Sequence, residues 1–181
     1  MLLASGQGRR FGANKLLAQV EGLPLYRRAM AALAGAGLHR LAVCSPYPEI
    51  LAAGAALGFL PLRNEQAAEG ISASVRLGLA AMEDLDGALF AVCDQPHLTT
   101  KSIITLVNSF QESKTAICAL AWKGQRGNPA VFPRDLFGEL AALTGDVGGG
   151  AVIAHHRDRL VLVEAARQNE LFDVDKPEDL T

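Results

Sequence analysis

Short apolar runs alternate along this sequence with longer segments in which apolar residues recur at helical spacing. This alternation is typical of a parallel sheet covered by helices. The apolar runs predict strands at residues 1–4, 40–44, 59–62, 87–93, 115–122, 130–132, 160–164 and 171–174. The helical segments predict helices at residues 24–34, 50–57, 72–82, 99–109, 134–143 and 148–155. The run 87–93 is apolar on both faces, so we expect it at the centre of the sheet.

The connections between these elements are short, and the sequence contains no internal repeat, low-complexity tract or Pro/Ser-rich linker. We therefore predict one domain over residues 1–181, a three-layer α/β/α Rossmann-like fold with a mostly parallel, mixed central sheet. Open α/β sheets bind ligands at the carboxyl ends of their strands. This rule directs attention to the residues that follow Ala4, Cys93 and Val174.

The composition narrows the function without identifying it. The 181 residues have a formal net charge of -2 and are 50% hydrophobic, which suffices for a core without disulfides or a structural metal. No apolar run approaches the roughly 20 residues of a membrane span, and there is no basic surplus for nucleic acid. The N-terminus becomes rich in glycine and arginine too early for a secretory signal. We expect a cytoplasmic protein with three buried, reduced cysteines and neither membrane nor nucleic-acid partners.

The loop after the first predicted strand has the composition of a phosphate cradle, because glycines let backbone N–H groups approach an anion and cations supply charge. Its glycines and cations are Gly6, Gly8, Gly12, Arg9, Arg10 and Lys15. It is neither a Walker A loop nor Gly-x-Gly-x-x-Gly, since Phe11 stands at the third glycine position. On composition alone, a glycine-rich turn with solvated arginines remains an alternative.

Carboxylates follow two other predicted strands. Asp94 comes directly after the most apolar strand, where a carboxylate is costly unless a cation such as Mg²⁺ on a triphosphate faces it. Asp173 and Asp175 alternate with Val174, so on a strand they would share a face. We take Asp94 and Asp175 as metal ligands; a turn cap at Asp94 and a helix-start cap at Asp175 are the alternatives.

The first loop resembles the signature of the MobA-like nucleotidyltransferases, in which Leu-Ala-(Ala/Gly)-Gly leads after three residues into Arg-x-Gly-x-x-Lys. The matching residues are Leu3, Ala4, Gly6, Arg10, Gly12 and Lys15. Ser5 departs from the usual alanine or glycine, at a position that the family associates with distinguishing cytosine from guanine. Its small size is nearer to alanine, which favours CTP.

Other segments resemble the molybdopterin cytidylyltransferase group of this family. The segment that contacts base and ribose has Asn64, Gly70, Ser72 and Ser74 in place, although Ser72 could equally be a helix cap. Asp94-Gln95-Pro96 is typical of the cytidylyltransferase branch. Residues 171–180 resemble the family's Phe-Asp-Ile-Asp-Thr-Pro-Glu-Asp-Leu ending.

Two further segments resemble the family's acceptor side. The Arg-Gly-His-Pro-x-x-Phe segment is retained except that Asn128 replaces histidine, and Leu-Thr-Gly-Asp is retained at residues 143–146. Gly150 stands where the family has an arginine, so either another cation such as Arg126 substitutes or the second substrate differs. The acceptor-binding residues implied by the resemblance are Arg126, Gly127, Asn128 and Asp146.

The resemblance implies a nucleotide-diphospho-sugar-transferase-like fold and an Mg²⁺-dependent enzyme, with Mn²⁺ as a possible substitute. It would transfer CMP from CTP to the phosphate of molybdopterin and release pyrophosphate. The implied catalytic residues are Arg10, Lys15 and Asp94. The implied nucleotide-binding residues are Ala4, Ser5, Gly6, Gly8, Arg10, Lys15, Asn64, Gly70, Ser72 and Ser74.

We expect a monomer whose partners are these small molecules and a molybdoenzyme that receives the product. The alternatives are a MobA-like transferase for another nucleotide or acceptor, a family-related NAD-dependent oxidoreductase, and a non-catalytic partner in molybdoenzyme maturation.

Overall fold

The computed structural model describes residues 1–6, 11 and 14–180. Its strands in chain order are β1 (Leu2–Leu3), β2 (Gln19–Val20), β3 (Leu23–Pro24), β4 (Ala42–Ser45), β5 (Leu60–Arg63), β6 (Gly87–Val92), β7 (Ile117–Trp122), β8 (Gln125–Pro133) and β9 (Leu160–Glu164). Its α-helices are α1 (Leu25–Ala34), α2 (Pro48–Ala56), α3 (Ile71–Ala80), α4 (Thr100–Glu112), α5 (Phe137–Ala141) and α6 (Gly150–His155).

Seven strands form one mixed sheet in the order β5-β4-β1-β6-β8-β7-β9, with β6 in the middle as its two apolar faces predict. Strand β8 runs antiparallel to both neighbours, and the other pairings are parallel. The sheet is therefore mostly parallel, as predicted. Strands β2 and β3 form a separate antiparallel hairpin around Glu21 and Gly22, which both have positive φ.

Two apolar clusters lie on opposite faces of the sheet, because neighbouring strand residues point to opposite sides. Leu89 and Ala91 of β6 pack with residues of α1, α2 and α4, whereas Ala88 and Phe90 pack with residues of α3, α5 and α6. This gives the predicted three layers. Cys44, Cys93 and Cys118 are buried and free, and burial raises the pKa of each thiol, which keeps them protonated.

The predicted strand at 171–174 is wrong. Residues Gln168–Leu171 form a 3-10 helix, and the following backbone joins the sheet region only where Val174 N–H donates to Asp94 O at 2.8 Å. Val174 is buried in a small apolar cluster with Val20 and Leu25, outside the two main clusters. Leu171 packs against one of the main clusters instead, so the apolar residues of this segment reflect packing at two places and not a sheet ladder.

Other boundaries differ for local reasons. Strand β8 begins five residues before the predicted strand 130–132. The apolar pattern did not indicate its first half, because those residues are polar and largely exposed. Pro24 ends β3, so α1 begins one residue later than predicted. The predicted helix 134–143 is a 3-10 turn, Arg134–Leu136, followed by α5, and the one at 148–155 begins at Gly150, the last of three consecutive glycines. Over the described residues, no helix is both long and apolar enough to cross a membrane.

Candidate functional site

Three segments meet at the carboxyl ends of β1 and β6. Lys15 begins a 3-10 helix, Lys15–Leu17, that is capped by the Asn14 side chain. Its Nζ lies 2.8 Å from Asp94 Oδ2, 3.1 Å from Val174 O and 3.7 Å from Asp175 Oδ1. The loop after β1, the residue after β6 and the C-terminal segment therefore meet at the carboxyl ends of the strands, where ligands bind in open α/β sheets. Lys15 and Asp94 are mostly buried, whereas the side chain of Asp175 is 59% exposed.

Asp94 has one carboxylate oxygen left without a partner. Oδ2 accepts from Lys15, but the buried Oδ1 makes no hydrogen bond with any residue that the structure describes. Burial, together with the neighbouring charge of Asp94, raises the pKa of Asp173. A partly desolvated group of carboxylates with an unmatched oxygen fits a hard divalent cation.

Among residues 1–6, 11 and 14–180, no three His, Cys, Asp or Glu side chains form a cluster that could hold a metal ion by themselves. This agrees with the preference of Mg²⁺ for one or two protein carboxylates combined with water and substrate phosphate. The unpartnered Asp94 Oδ1 fits an ion that keeps water and phosphate ligands of its own. The residues present do not fit a cage made only of protein ligands.

A cavity of about 640 Å³ opens beside the Lys15–Asp94 pair. Ser5, Gly6, Gly70 and Ser74 also line it. Asn64 lies behind these residues, where its Nδ2 donates to Ser5 Oγ at 3.2 Å and to Ser74 Oγ at 2.9 Å. Ser5, Asn64 and Ser74, three of the predicted nucleotide residues, therefore form one hydrogen-bonded wall.

Two of the predicted nucleotide residues, Ala4 and Ser72, are buried and are not among the residues that line this cavity. Ala4 is fully buried, and its N–H donates to Cys44 O at 2.8 Å. Ser72 is buried in the first turn of α3, where Gly70 holds the cap position, so Ser72 is not the helix cap. Gly8 and Arg10, with Arg9 and Gly12, lie outside the described residues.

Gly70 sits against the loop that contains Asp146. Its φ is +102°, and a Cβ on Gly70 would lie 2.5 Å from the backbone C and O of Gly145. Ser72 N–H donates to Gly145 O at 3.3 Å, and Ile71 N–H donates to Asp146 Oδ1 at 3.4 Å. Asp146, predicted on the acceptor side, thus lines the same cavity as Ser5 and Lys15.

The other three predicted acceptor residues line a second cavity of about 580 Å³. This second cavity, which we name the acceptor cavity after those predicted residues, is lined by Gln95, Trp122, Gln125, Arg126, Gly127, Asn128, Gln168, Asn169, Leu171, Phe172 and Asp173. Its walls carry five amide side chains, two aromatic rings, one arginine and one carboxylate. A smaller cavity of about 230 Å³ shares Leu3 and Val92 with the first cavity and Arg126 and Asn128 with the second. The three form one groove across the strand ends.

Sequence reasoning missed most of the acceptor cavity. Trp122 ends β7, and Gln168, Asn169 and Phe172 belong to a segment that the apolar pattern assigned to a strand or left as a connection. Only the resemblance of residues 171–180 to the family ending indicated that this segment has a role at the site.

The guanidinium of Arg126 occupies the space beside Gly150. A Cβ on Gly150 would lie 3.4 Å from Arg126 Nη2. Arg126 is exposed, and its guanidinium makes no hydrogen bond or ion pair with the part of the chain that is described. An uncommitted cation therefore stands where the family resemblance implies an arginine at position 150.

The fold and the site together define a nucleotide-binding group transferase, with a cation and a carboxylate facing each other beside a two-part groove. Residues 1–160 match the model of the MobA-like NTP transferase domain, and the chain belongs to that family. It is a nucleotidyltransferase.

The comparisons with individual proteins agree. The chain is 33% identical over 164 residues to the phosphoenolpyruvate guanylyltransferase of Rubrobacter xylanophilus, covering 87% of this chain and 77% of the relative. The crystal structure of Rv0371c from Mycobacterium tuberculosis H37Rv superposes with a TM-score of 0.82 at 25% identity, covering 98% of this chain and 93% of that one. A manganese complex of the same mycobacterial protein gives a TM-score of 0.77 at 24% identity, covering 98% and 92%.

Proposed function

We propose that this nucleotidyltransferase transfers CMP from CTP to the phosphate of molybdopterin and so makes molybdopterin cytosine dinucleotide. The observation that carries the acceptor assignment is the lining of the acceptor cavity, with its amides, two aromatic rings and single arginine. A pterin presents a flat heteroaromatic ring with alternating donors and acceptors along its edge. Amide side chains pair with such an edge, and aromatic rings stack on its face.

The single arginine suits an acceptor with one phosphate. Arg126 lines both the acceptor cavity and the small cavity that joins it to the nucleotide cavity. An acceptor phosphate held there would be directed towards Lys15 and Asp94, where the α-phosphate of a bound nucleotide is expected. Arg126 would thus replace the arginine that the family pattern has at position 150.

The base assignment rests on the short side chains of the Ser5–Asn64–Ser74 wall. Asn64 uses its amide N–H groups on Ser5 and Ser74, and its Oδ1 accepts from Gln66 N–H at 3.0 Å, which fixes all three side chains. Such a preorganised set of hydroxyl and amide groups can read the few donors and acceptors of a cytosine edge. The resemblance at Ser5 and Asp94-Gln95-Pro96 favours the same base.

The chemistry requires positioning and charge neutralisation more than covalent catalysis. An oxygen of the acceptor phosphate attacks the α-phosphorus, the new P–O bond forms, and the bond to the bridging oxygen of pyrophosphate breaks. Lys15, with Arg10 as an expected second cation, stabilises the charge that develops on the leaving pyrophosphate. No general base is required, because a phosphate acceptor is already anionic at neutral pH.

Asp94 and Asp175 would hold the divalent cation, with Asp173 beside them. Bound there, Mg²⁺ or Mn²⁺ would neutralise charge on the triphosphate and lower the barrier to its cleavage. Lys15 lies between the two carboxylates and keeps them in place before the nucleotide arrives.

The relative from Rubrobacter supports a second candidate, guanylyl transfer to phosphoenolpyruvate. Phosphoenolpyruvate carries a carboxylate and a phosphate on three carbons, so a site built for it needs several cations in a small space. The described lining of the acceptor cavity offers Arg126 alone and includes Asp173. We therefore place this candidate second.

The test measures pyrophosphate release by the purified protein. Each of CTP, GTP, ATP and UTP is combined with molybdopterin, phosphoenolpyruvate or no acceptor, with and without Mg²⁺, and NADH binding is measured in parallel. Release that requires both CTP and molybdopterin is the expected result. Release with GTP and phosphoenolpyruvate establishes the second candidate. NADH binding without release under any condition contradicts both and favours the oxidoreductase alternative.

A further inference from the structure

Glu170 is a fully buried carboxylate that lies outside the nucleotide cavity and the acceptor cavity. Its Oε2 accepts from Thr99 N–H at 3.0 Å and from Thr99 Oγ1–H at 2.8 Å. Its Oε1 accepts from Arg167 N–H at 3.0 Å. A buried ionised group with this many partners is expensive to desolvate and is retained only where its hydrogen bonds repay that cost.

The chemistry around Glu170 requires a carboxylate. The three groups that face it are all donors, and an ionised carboxylate accepts at both oxygens. A glutamine of the same shape would turn an NH₂ group towards one of these donors and lose that bond. The negative charge also lies at the start of the 13-residue helix α4, which favours anions, and Thr99 caps that helix by accepting from Ser102 N–H.

The Glu170 bonds join two segments that carry site residues. On one side, the segment from Asp94 to Thr99 leads from β6 into α4. On the other side, residues 166–174, which we name the acceptor wall, carry much of the lining of the acceptor cavity. Two further bonds fasten this wall at its ends, from Ala166 N–H to Ser102 Oγ at 3.2 Å and from Val174 N–H to Asp94 O at 2.8 Å.

The acceptor wall depends on these side-chain bonds because it has little regular structure. It contains one turn of 3-10 helix and no sheet ladder. Gln95 Nε2 donates to Asp173 Oδ1 at 2.9 Å, so the wall also touches the residue that follows Asp94. Glu170 lies midway between the two end bonds and is the only fully buried charged side chain among the described residues.

We propose that Glu170 is a positioning residue for the acceptor: with Thr99, it fixes the acceptor wall at its working distance from Asp94 and Lys15. It does not touch substrate. The inference rests on the proposed function in one respect, namely that the second cavity receives the acceptor. Its effect is therefore expected on acceptor binding and not on nucleotide binding, since the Ser5–Asn64–Ser74 wall shares no contact with Glu170.

The test compares Glu170→Gln, Thr99→Val and Thr99→Ser with wild type. Thr99→Ser keeps the hydroxyl and serves as the conservative rescue, and Glu139→Gln, which changes an exposed carboxylate beside His156, is the matched control. Amide hydrogen exchange is followed over residues 166–174, and KM is measured separately for nucleotide and for acceptor. Trp122, the single tryptophan of the chain, lines the acceptor cavity and reports acceptor binding by its fluorescence.

We expect Glu170→Gln to raise the KM for acceptor at least about tenfold, with the KM for nucleotide within about twofold of wild type. Exchange should accelerate in residues 166–174 and stay unchanged in residues 60–75. Thr99→Val should follow Glu170→Gln, and Thr99→Ser should follow wild type. If Glu170→Gln fails to fold, the comparison of Thr99→Val with Thr99→Ser decides whether the Glu170–Thr99 bond positions the acceptor wall.

Unchanged exchange in the acceptor wall, or an equal rise in both KM values, overturns the proposal. A wild-type enzyme that uses an acceptor other than molybdopterin contradicts the proposed function alone, and the comparison is then made with that acceptor. If no acceptor supports release, the proposed function fails, and the exchange measurement by itself decides whether Glu170 fixes the wall.

Discussion

Lys15 Nζ and Asp94 Oδ2 lie 2.8 Å apart, although 79 positions separate the two residues in the chain. The pair joins the loop after β1 to the end of the central strand β6. Because opposite charges meet at this point, a near-neutral net charge of -2 is compatible with binding a highly charged nucleotide. Lys15 also donates to Val174 O, so the pair anchors the C-terminal segment as well.

Replacement of either member of this pair should abolish most of the turnover. We expect Lys15→Ala and Asp94→Ala each to leave the fold intact and to reduce kcat at least about 100-fold, the size of effect seen when one charge-stabilising group is removed from a preorganised site. Pyrophosphate release measures the loss, and circular dichroism checks the fold. Lys114→Ala is the control, because it breaks a surface ion pair with Asp86 far from the site. Full activity in both site variants would remove Lys15 and Asp94 from the mechanism.

The sequence predicted the central position of β6 and the edge of the sheet at which Lys15 and Asp94 lie, because apolar runs locate buried strands and ligands bind at strand ends. It did not predict that the two side chains pair directly. It did not predict the acceptor wall. The apolar residues at 171 and 174 pack against Gly127 and against the Val20–Leu25 cluster, and periodicity does not distinguish such packing from a strand. The β2–β3 hairpin was missed because each strand has only two residues.

The side of the groove on which Asp146 lies also could not be predicted. Its position depends on the close contact between Gly70 and Gly145, which are 75 residues apart. A single sequence contains nothing that indicates a contact between two such distant glycines. The family order of motifs placed Asp146 with the acceptor segment that precedes it. Tertiary packing places it against the start of α3 instead.

Gly70→Ala should damage the nucleotide cavity more than its backbone strain alone explains. Both Gly70 and Gly58 have positive φ, but a Cβ on Gly58 would meet open space, whereas one on Gly70 would collide with Gly145. Gly58→Ala should therefore cost about 1–2 kcal/mol of strain. Gly70→Ala should cost more and weaken nucleotide binding, as measured by thermal unfolding and calorimetric titration. Equal losses of stability with unchanged binding would show that the contact has no role.

Asp146→Asn should affect the nucleotide and not the acceptor. The side chain lines the nucleotide cavity and accepts only a long bond from Ile71 N–H, so its carboxylate is free to accept from a nucleotide hydroxyl or amino group. We expect the KM for nucleotide to rise roughly tenfold, the usual size for losing a charged acceptor, with the acceptor KM unchanged. Asp84→Asn, which changes a carboxylate paired with Arg40, is the control. A rise confined to the acceptor KM would return Asp146 to the acceptor side.

The cation of the acceptor cavity should be movable from position 126 to position 150. Arg126→Ala should raise the KM for acceptor about tenfold or more, because it removes the only arginine among the described lining residues. Gly150 has helical backbone, and the nearest atom to a Cβ there is Arg126 Nη2, so Arg126→Ala vacates the space that an arginine at 150 would enter. The double variant Arg126→Ala, Gly150→Arg should therefore recover most of the acceptor affinity.

The matched control for this exchange is Arg126→Ala combined with Gly138→Arg, which restores the net charge at an open, exposed position of α5. Gly150→Arg alone should weaken acceptor binding, because two guanidinium groups would then crowd each other. Affinities are measured by Trp122 fluorescence at several salt concentrations, since a phosphate contact weakens as salt screens it. Recovery by arginine at 138 as well as at 150 would mean that general charge, and not a placed cation, attracts the acceptor.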